Sequence, residues 1–197
     1  MSEHLEIEQK FDVDNGFTRP PFDGLPGVTA DPPVLYQLSA TYFDTDDGRL
    51  SASKITLRRR TGGTDEGWHL KLPAGAGARR EVHAPLSQAG QPVPGELAAR
   101  VAEVTGGRPL APIARLDTER TVVTLHGEDG TVLAEVADDS VTARRLPERG
   151  EPLRWREIEV EVPQAVPELQ RAAAEVLFAA GARPAGHGSK LARLLDQ

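Results

Sequence analysis

The 197-residue sequence has no cysteine. That absence excludes disulfides, thiolate nucleophiles and cysteine-ligated metal centres. It suits a reducing compartment, so a cytoplasmic location is expected. No run of 18 apolar residues occurs, so no transmembrane helix is expected. The first six residues are polar and acidic, unlike a secretory signal. Basic excess is also lacking: the formal net charge is −7, which argues against binding a nucleic-acid polymer. Neither nucleic acid nor membrane is therefore an expected partner, and the sequence names no protein partner. The five histidines show no H-x-x-x-H pattern. The segment "AAGARPAGHGSK" fails the G-x-x-x-x-G-K spacing of a phosphate loop, and "DTDDGR" lacks the closing Glu of a calcium loop.

What is present is ordinary in amount, at 39% hydrophobic and 27% charged, and unusual in arrangement. Residues 4–12 read as a strand. The proline-rich stretch 15–34 reads as a loop with at most a helical turn. Further strands are expected at "LYQLSATYFDT", "KITLRRR", "GWHLKLP" and "RREVHAPL". "GELAARVAEVTG" has helical spacing and ends at a glycine pair. "RLDTERTVVTLHG" and "TVLAEVADDSVTARRL" form a hairpin around "EDG", and "WREIEVEVP" is the eighth strand. An amphipathic helix over 165–181 and a short one in "SKLARLLDQ" finish the chain. No break divides it, so residues 1–197 are expected to form one domain. Eight strands joined by short turns imply antiparallel pairing, and closure into a barrel removes the edges.

Alternate residues of a strand share a face. In "LEIEQKF", Leu5, Ile7 and Phe11 oppose Glu6, Glu8 and Lys10. Later strands repeat the pattern: Ile55 and Leu57 against Arg58 and Arg60; Trp68 and Leu70 against His69 and Lys71; Val82 against Arg79, Glu81 and His83. Val123 and Leu125 oppose Arg120, and Ile158, Val160 and Val162 oppose Glu157, Glu159 and Glu161. Trp68 and Trp155 are assigned to the outward apolar sets. A solvated strand face is usually mixed in composition, whereas two of these are almost purely acidic and one is doubly Arg. Like charges roughly 6–7 Å apart along one face oppose folding unless opposite charge lies between them. Carboxylates so placed suit hard divalent cations, Mg²⁺ or Mn²⁺. Arg and Lys suit phosphate oxygens. Inward-facing charge and outward-facing apolar sets together predict a mainly β, eight-stranded antiparallel barrel with a charged lumen and helices outside.

The ordered set "EIEQK", "YFDTDDGRL", "TLRRR", "WHLKLP", "RREVHAPL", "REIEVEV" and "SKLARL" resembles the CYTH family, the triphosphate tunnel metalloenzymes. The tract from "TLRRR" to "RREVHAPL" looks most like bacterial CYTH proteins, including those fused to a helical domain. The resemblance implies an eight-stranded tunnel holding metal and phosphate. It implies divalent-metal ligation by Glu6, Glu8, Glu157 and Glu159, with Glu161 extending that face. An acidic residue of the preceding strand joins them: alternation from Glu135 favours Asp139, and a bulge would favour Asp138. Lys10, Arg58, Arg60, Lys71, Arg120 and Lys190 would grip the triphosphate, with Arg79 and Glu81 as a supporting pair. Arg115 lies near a basic position of some relatives.

The implied reaction is metal-dependent hydrolysis of a terminal phosphoanhydride, with Glu157 or Glu159 orienting or deprotonating water and Lys10 and Arg58 stabilising charge. A lining of charge with few aromatic groups favours inorganic tripolyphosphate, split to pyrophosphate and phosphate. The other triphosphate readings are thiamine or nucleoside triphosphatase and adenylate cyclase. A non-catalytic binder of polyphosphate or nucleotides is the alternative from another class. An apolar-ligand carrier needs an apolar lumen, which the alternation contradicts.

Overall fold

The alternation read from the sequence closes on itself in space. The structure, a computed structural model, describes residues 1–75, 78–86, 92–148, 150–163 and 166–197. Its strands are β1 (Ser2–Val13), β2 (Val28–Ala30), β3 (Val34–Asp44), β4 (Thr56–Thr61), β5 (Gly67–Pro73), β6 (Arg79–Ala84), β7 (Ala111–Gly127), β8 (Val132–Arg145), β9 (Leu153–Val162) and β10 (Arg183–Pro184). The helices are α1 (Arg49–Ala52), α2 (Gly95–Arg100), α3 (Ala102–Thr105), α4 (Pro167–Ala179) and α5 (Lys190–Leu195). Hydrogen bonding runs β1-β6-β5-β4-β3-β7-β8-β9 and returns from β9 to β1, closing an eight-stranded antiparallel barrel. Glu8 faces Glu161 and Lys10 faces Glu159 across the closing pair.

Local chemistry agrees with this path. The β7–β8 turn holds Gly130 at φ 79°, a conformation that costs glycine little. At the β4–β5 turn, Gly62 has φ 81° and lies so close to the Gln37 carbonyl that a Cβ would collide with it. The proline-rich loop is more ordered than its composition predicts, because Val28–Ala30 pairs with the overhanging end of β7. The expected helix over 95–106 is two short ones, α2 and α3, separated at Val101. Of the expected helix at 165–181, Ala165 lies outside the described residues, and α4 begins with Pro167 at a helix start, where its missing N–H costs nothing. Among the described residues, no helix is long and apolar enough to cross a membrane.

Three apolar clusters position the site. Outside the barrel, α4 lays Leu169, Ala173 and Leu177 on Phe11, Val136, Ile158 and Val160. On another outer face, Leu50 of α1 and Leu97 of α2 cover Leu57, Trp68, Leu70 and Val82. The third cluster belongs to the inner face. Ala40, Tyr42, Leu116, Val141, Ala143 and Trp155 receive Leu191 and Leu194 of α5. This corrects the outward assignment of Trp155. It shares strand parity with Glu157 and Glu159, and its indole Nε1 donates to Glu157 Oε2 at 2.5 Å. The inner face is therefore charged along the middle and apolar where α5 plugs it.

Candidate active site

The inner faces of seven barrel strands enclose a cavity of about 100 Å³, walled by Glu6, Glu8, Lys10, Tyr42, Arg58, Arg60, Lys71, Glu81, Arg120, Glu159 and Glu161, with Lys190 from α5. Period-two alternation puts them there: each of these strand residues stands two or four positions from another inward residue on its own strand, or opposite one on its neighbour.

One wall is a tight ionic set. Arg120 grips Asp139 through Nε at 2.8 Å and Nη2 at 2.6 Å, and Nη2 also reaches Glu159 at 2.6 Å. Lys190 lies 2.8 Å from Asp139, 2.8 Å from Glu157 and 2.7 Å from Glu159. Lys10 pairs with Glu159 and, at 2.9 Å, with Glu8. Ligand oxygens of Asp139, Glu157 and Glu159 come within 4.8 Å of one another. Burial alone would raise the Glu159 carboxyl, but Lys10, Lys190 and Arg120 hold it well below the usual carboxylate range. Burial opposes the Lys190 charge, yet Asp139, Glu157 and Glu159 hold its pKa well above that of free lysine.

The rest of the lining is less balanced. Lys71 Nζ donates to Glu6 and lies 3.1 Å from Glu81, whose other oxygen meets His69 Nδ1. His69 Nε2 faces the Asp65 carbonyl at 2.9 Å, and the Asp65 carboxylate pairs with Arg60. Glu6 Oε2 is buried without a hydrogen-bond partner. No ion pair to Glu161 forms among the described residues. Burial, with Glu6, Glu159 and Glu8 nearby and only partly offset by Lys71, pushes the Glu161 carboxyl up to about 7. Arg58 donates to the Tyr42 hydroxyl at 3.3 Å while its Nε is buried and unpaired. Burial and the neighbouring Arg58 bring Arg60 down to about 10.

The structure thus brings Glu6, Glu8, Lys10, Arg58, Arg60, Lys71, Arg120, Asp139, Glu157, Glu159, Glu161 and Lys190 together. Asp138 points the other way and is gripped by Arg156 at 2.8 and 2.7 Å; there is no bulge to turn it inward, since β8 and β9 pair without a shift. Arg115 is exposed and pairs with Asp117 at 3.3 Å. Arg79 and Glu81 do not pair with each other: Arg79 sits at the cavity rim and donates to the Gly188 carbonyl. Tyr42 and Asp65 are additions. Tyr42 follows Ala40 on the inner face of β3 just before a register shift, while Asp65 comes from a turn, where no periodicity signals it.

A closed antiparallel barrel with ion pairs across its lumen belongs to the charged-tunnel class, distinct from barrels that carry apolar ligands. The chain is a member of the CYTH family: the CYTH domain matches residues 4–194. It is 44% identical over 206 residues to uncharacterized protein Rv2226 of Mycobacterium tuberculosis, covering 98% of this chain and 40% of the relative. The chain thus spans about 40% of the length of the curated relatives it matches. Among solved structures, a candidate adenylate cyclase from Bacillus halodurans superposes with a TM-score of 0.70 at 20% identity, covering 98% of each chain. The candidate adenylyl cyclase HpAC1 from Hippeastrum, for which a dominant triphosphatase activity is named, superposes at 0.55 with 17% identity, covering 98% of this chain and 95% of that one. At these identities both show the fold alone.

Proposed function

We propose that this domain hydrolyses the terminal phosphoanhydride of a triphosphate, with inorganic tripolyphosphate the preferred substrate. One observation carries the reading: Arg58, Arg60 and Arg120 line the same narrow cavity as Glu6, Glu8 and Glu161. Guanidinium forks match phosphate oxygens, and carboxylates match the hard cation that accompanies a polyphosphate. The activity named for HpAC1 supports the same class. Preference for the inorganic substrate rests on the lining. Tyr42 is the one Phe, Tyr or Trp ring on it among the described residues, and its hydroxyl is engaged by Arg58.

The donors present fit Mg²⁺ or Mn²⁺: all are carboxylate oxygens, and one of them, Glu6 Oε2, is buried without a partner. Such an ion would polarise phosphate oxygens and acidify a water. The protein's own residues do the rest. Arg58, Arg60 and Arg120 hold non-bridging oxygens and stabilise the charge that builds as the P–O bond breaks. Lys10 and Lys71 add charge near the carboxylate wall. Glu159, kept ionised, accepts a hydrogen bond from the attacking water and orients it toward the terminal phosphorus. Water adds its oxygen to that phosphorus, the bridging oxygen leaves with pyrophosphate, and one proton passes to solvent.

Phosphate release from tripolyphosphate, ATP and thiamine triphosphate, each with Mg²⁺ and with Mn²⁺, tests this. The highest kcat/KM is expected on tripolyphosphate. Cyclic AMP as the main product from ATP, or tight binding of all three without turnover, would overturn it.

A further inference from the structure

Past Arg60 and Arg120 the lumen continues into a second cavity of about 190 Å³, whose acidic residues are Asp65, Glu135 and Glu161. Among the described residues, only Asp65 of these three pairs with a cation, and that cation is Arg60. The pair is lopsided. Arg60 is 5% exposed and its Nε is buried without a partner. The Asp65 side chain is 58% exposed.

Asp65 comes from the β4–β5 turn and not from a strand. The backbone of that turn is held at two points. Gly62 is wedged against the Gln37 carbonyl, and the Asp65 carbonyl faces His69 Nε2 at 2.9 Å. The carboxylate itself is free to turn about its side-chain bonds, and among the described residues Arg60 is its one ionic partner. Partial burial alone would raise the Asp65 carboxyl, but Arg60, His69 and Arg58 hold it below the usual range. It is therefore an anion at neutral pH.

An anionic oxygen on a buried guanidinium is the contact a phosphoryl oxygen makes. Released from Arg60, a half-exposed carboxylate returns to water at little cost. The buried guanidinium cannot be left alone at little cost, so another anion must replace the one that leaves.

We infer that Asp65 is a displaceable stand-in for phosphate: it holds the Arg60 fork when no substrate is bound and swings to solvent when a phosphoryl oxygen takes its place. This rests on the reading that Arg60 grips a triphosphate, and deepens it by naming the residue that competes for the same donor. Asp65 touches no reacting atom; it is a positioning residue. It keeps Arg60 aimed into the lumen and turns binding into an exchange of anions. The exchange also selects the ligand. A carboxylate offers Arg60 nothing that Asp65 does not already give, whereas a terminal phosphoryl group carries up to two charges and three acceptor oxygens.

The test measures binding of diimidotriphosphate, the tripolyphosphate analogue with NH in place of both bridging oxygens, by calorimetry at fixed Mg²⁺. Asp65→Asn is expected to lower its Kd by about fivefold. Glu135 is exposed, lines the same mouth and pairs with no cation among the described residues. Glu135→Gln removes the same charge without touching Arg60 and should change Kd by less than about twofold. In an Arg60→Ala background, Asp65→Asn should also change Kd by less than about twofold, because the contested donor is gone. Without ligand, Asp65→Asn should lower Tm, since Arg60 loses its carboxylate, yet the rise in Tm on saturation with the analogue should exceed that of the wild type. A merely structural Asp65 would lower Tm equally with and without ligand. Asp65→Ser, also polar, replaces Asp65→Asn if the latter does not fold. Unchanged or weaker binding by the Asp65 variant, equal tightening by Glu135→Gln, or the same gain in the Arg60→Ala background would overturn the inference. Analogue binding to none of the proteins would overturn it together with the triphosphate reading. Absence of phosphate release from every triphosphate would sink hydrolysis alone and leave these ratios unaffected.

Discussion

Replacing Asp139 by Asn should be among the most destabilising single-atom changes in this barrel. Asp139 is fully buried. Its two oxygens take 2.8 and 2.6 Å bonds from Arg120, and Lys190 stands 2.8 Å away. Removing one partner of a buried pair costs about 3–5 kcal/mol, because the desolvated charge left behind is uncompensated. Here each cation retains another carboxylate, Glu159 for Arg120 and Glu157 with Glu159 for Lys190. The lower bound of about 3 kcal/mol is therefore expected. For a chain of this size that is a fall in Tm of roughly 6–12 °C. Adjacent Asp138 supplies the control. Its pair with Arg156 is partly solvated, and Arg156 keeps the Phe17 carbonyl at 2.7 Å. Asp138→Asn should cost about 1 kcal/mol or less. Urea titration in EDTA at pH 7 reads both, with an unchanged m-value showing that the unfolded states are comparable. A loss below about 1 kcal/mol for Asp139→Asn, or equal losses for the two variants, would refute the inward orientation of Asp139 and the charge balance built on it.

Arg58→Ala and Arg60→Ala should each lower turnover of the best triphosphate by about 10²–10³ while far-ultraviolet circular dichroism stays unchanged. Near-normal turnover in both would remove them from the mechanism. Leu191→Ala, in the inner apolar cluster, should cost about 2–4 kcal/mol, read by thermal unfolding; a smaller loss would mean α5 is not a packed plug. Burial alone would raise the Glu81 carboxyl, but His69, Lys71 and Arg58 hold it well below the usual range. Its folded pKa is depressed, so its stabilisation is complete above the unfolded value of about 4.3 and is lost as pH falls below that. The Tm gap between wild type and Glu81→Gln should therefore shrink between pH 7 and pH 3; a gap independent of pH would contradict the assignment.

Strand faces were legible because charge and apolarity alternate so strongly. Glu6 with Glu8, Arg58 with Arg60, and Glu157 with Glu159 lie where period two puts them. Trp155 is the exception to the outward apolar sets: two positions from Glu157, it faces the lumen, where its indole finds a carboxylate acceptor. Local pattern carries no information that α5 will return to fill one end of the lumen, because that contact joins Leu191 to Ala40 and Leu116, far apart in the chain. The choice between Asp138 and Asp139 depended on whether β8 carries a bulge, which only pairing with β9 settles. Asp65 was invisible for a different reason: a turn has no repeating face.

The closing pair of strands lies far apart in the sequence, with Lys10 and Glu159 separated by 149 positions. Contacts of such long sequence separation form late, after the entropy of a large loop has been spent. Until residues 153–162 have been synthesised, β1 and β8 each present an unpaired edge of the kind that recruits foreign strands. During translation, then, the hazard of edge-to-edge aggregation persists until β9 emerges, and the acidic faces of the waiting strands, repelling one another between molecules, are suited to hold it off.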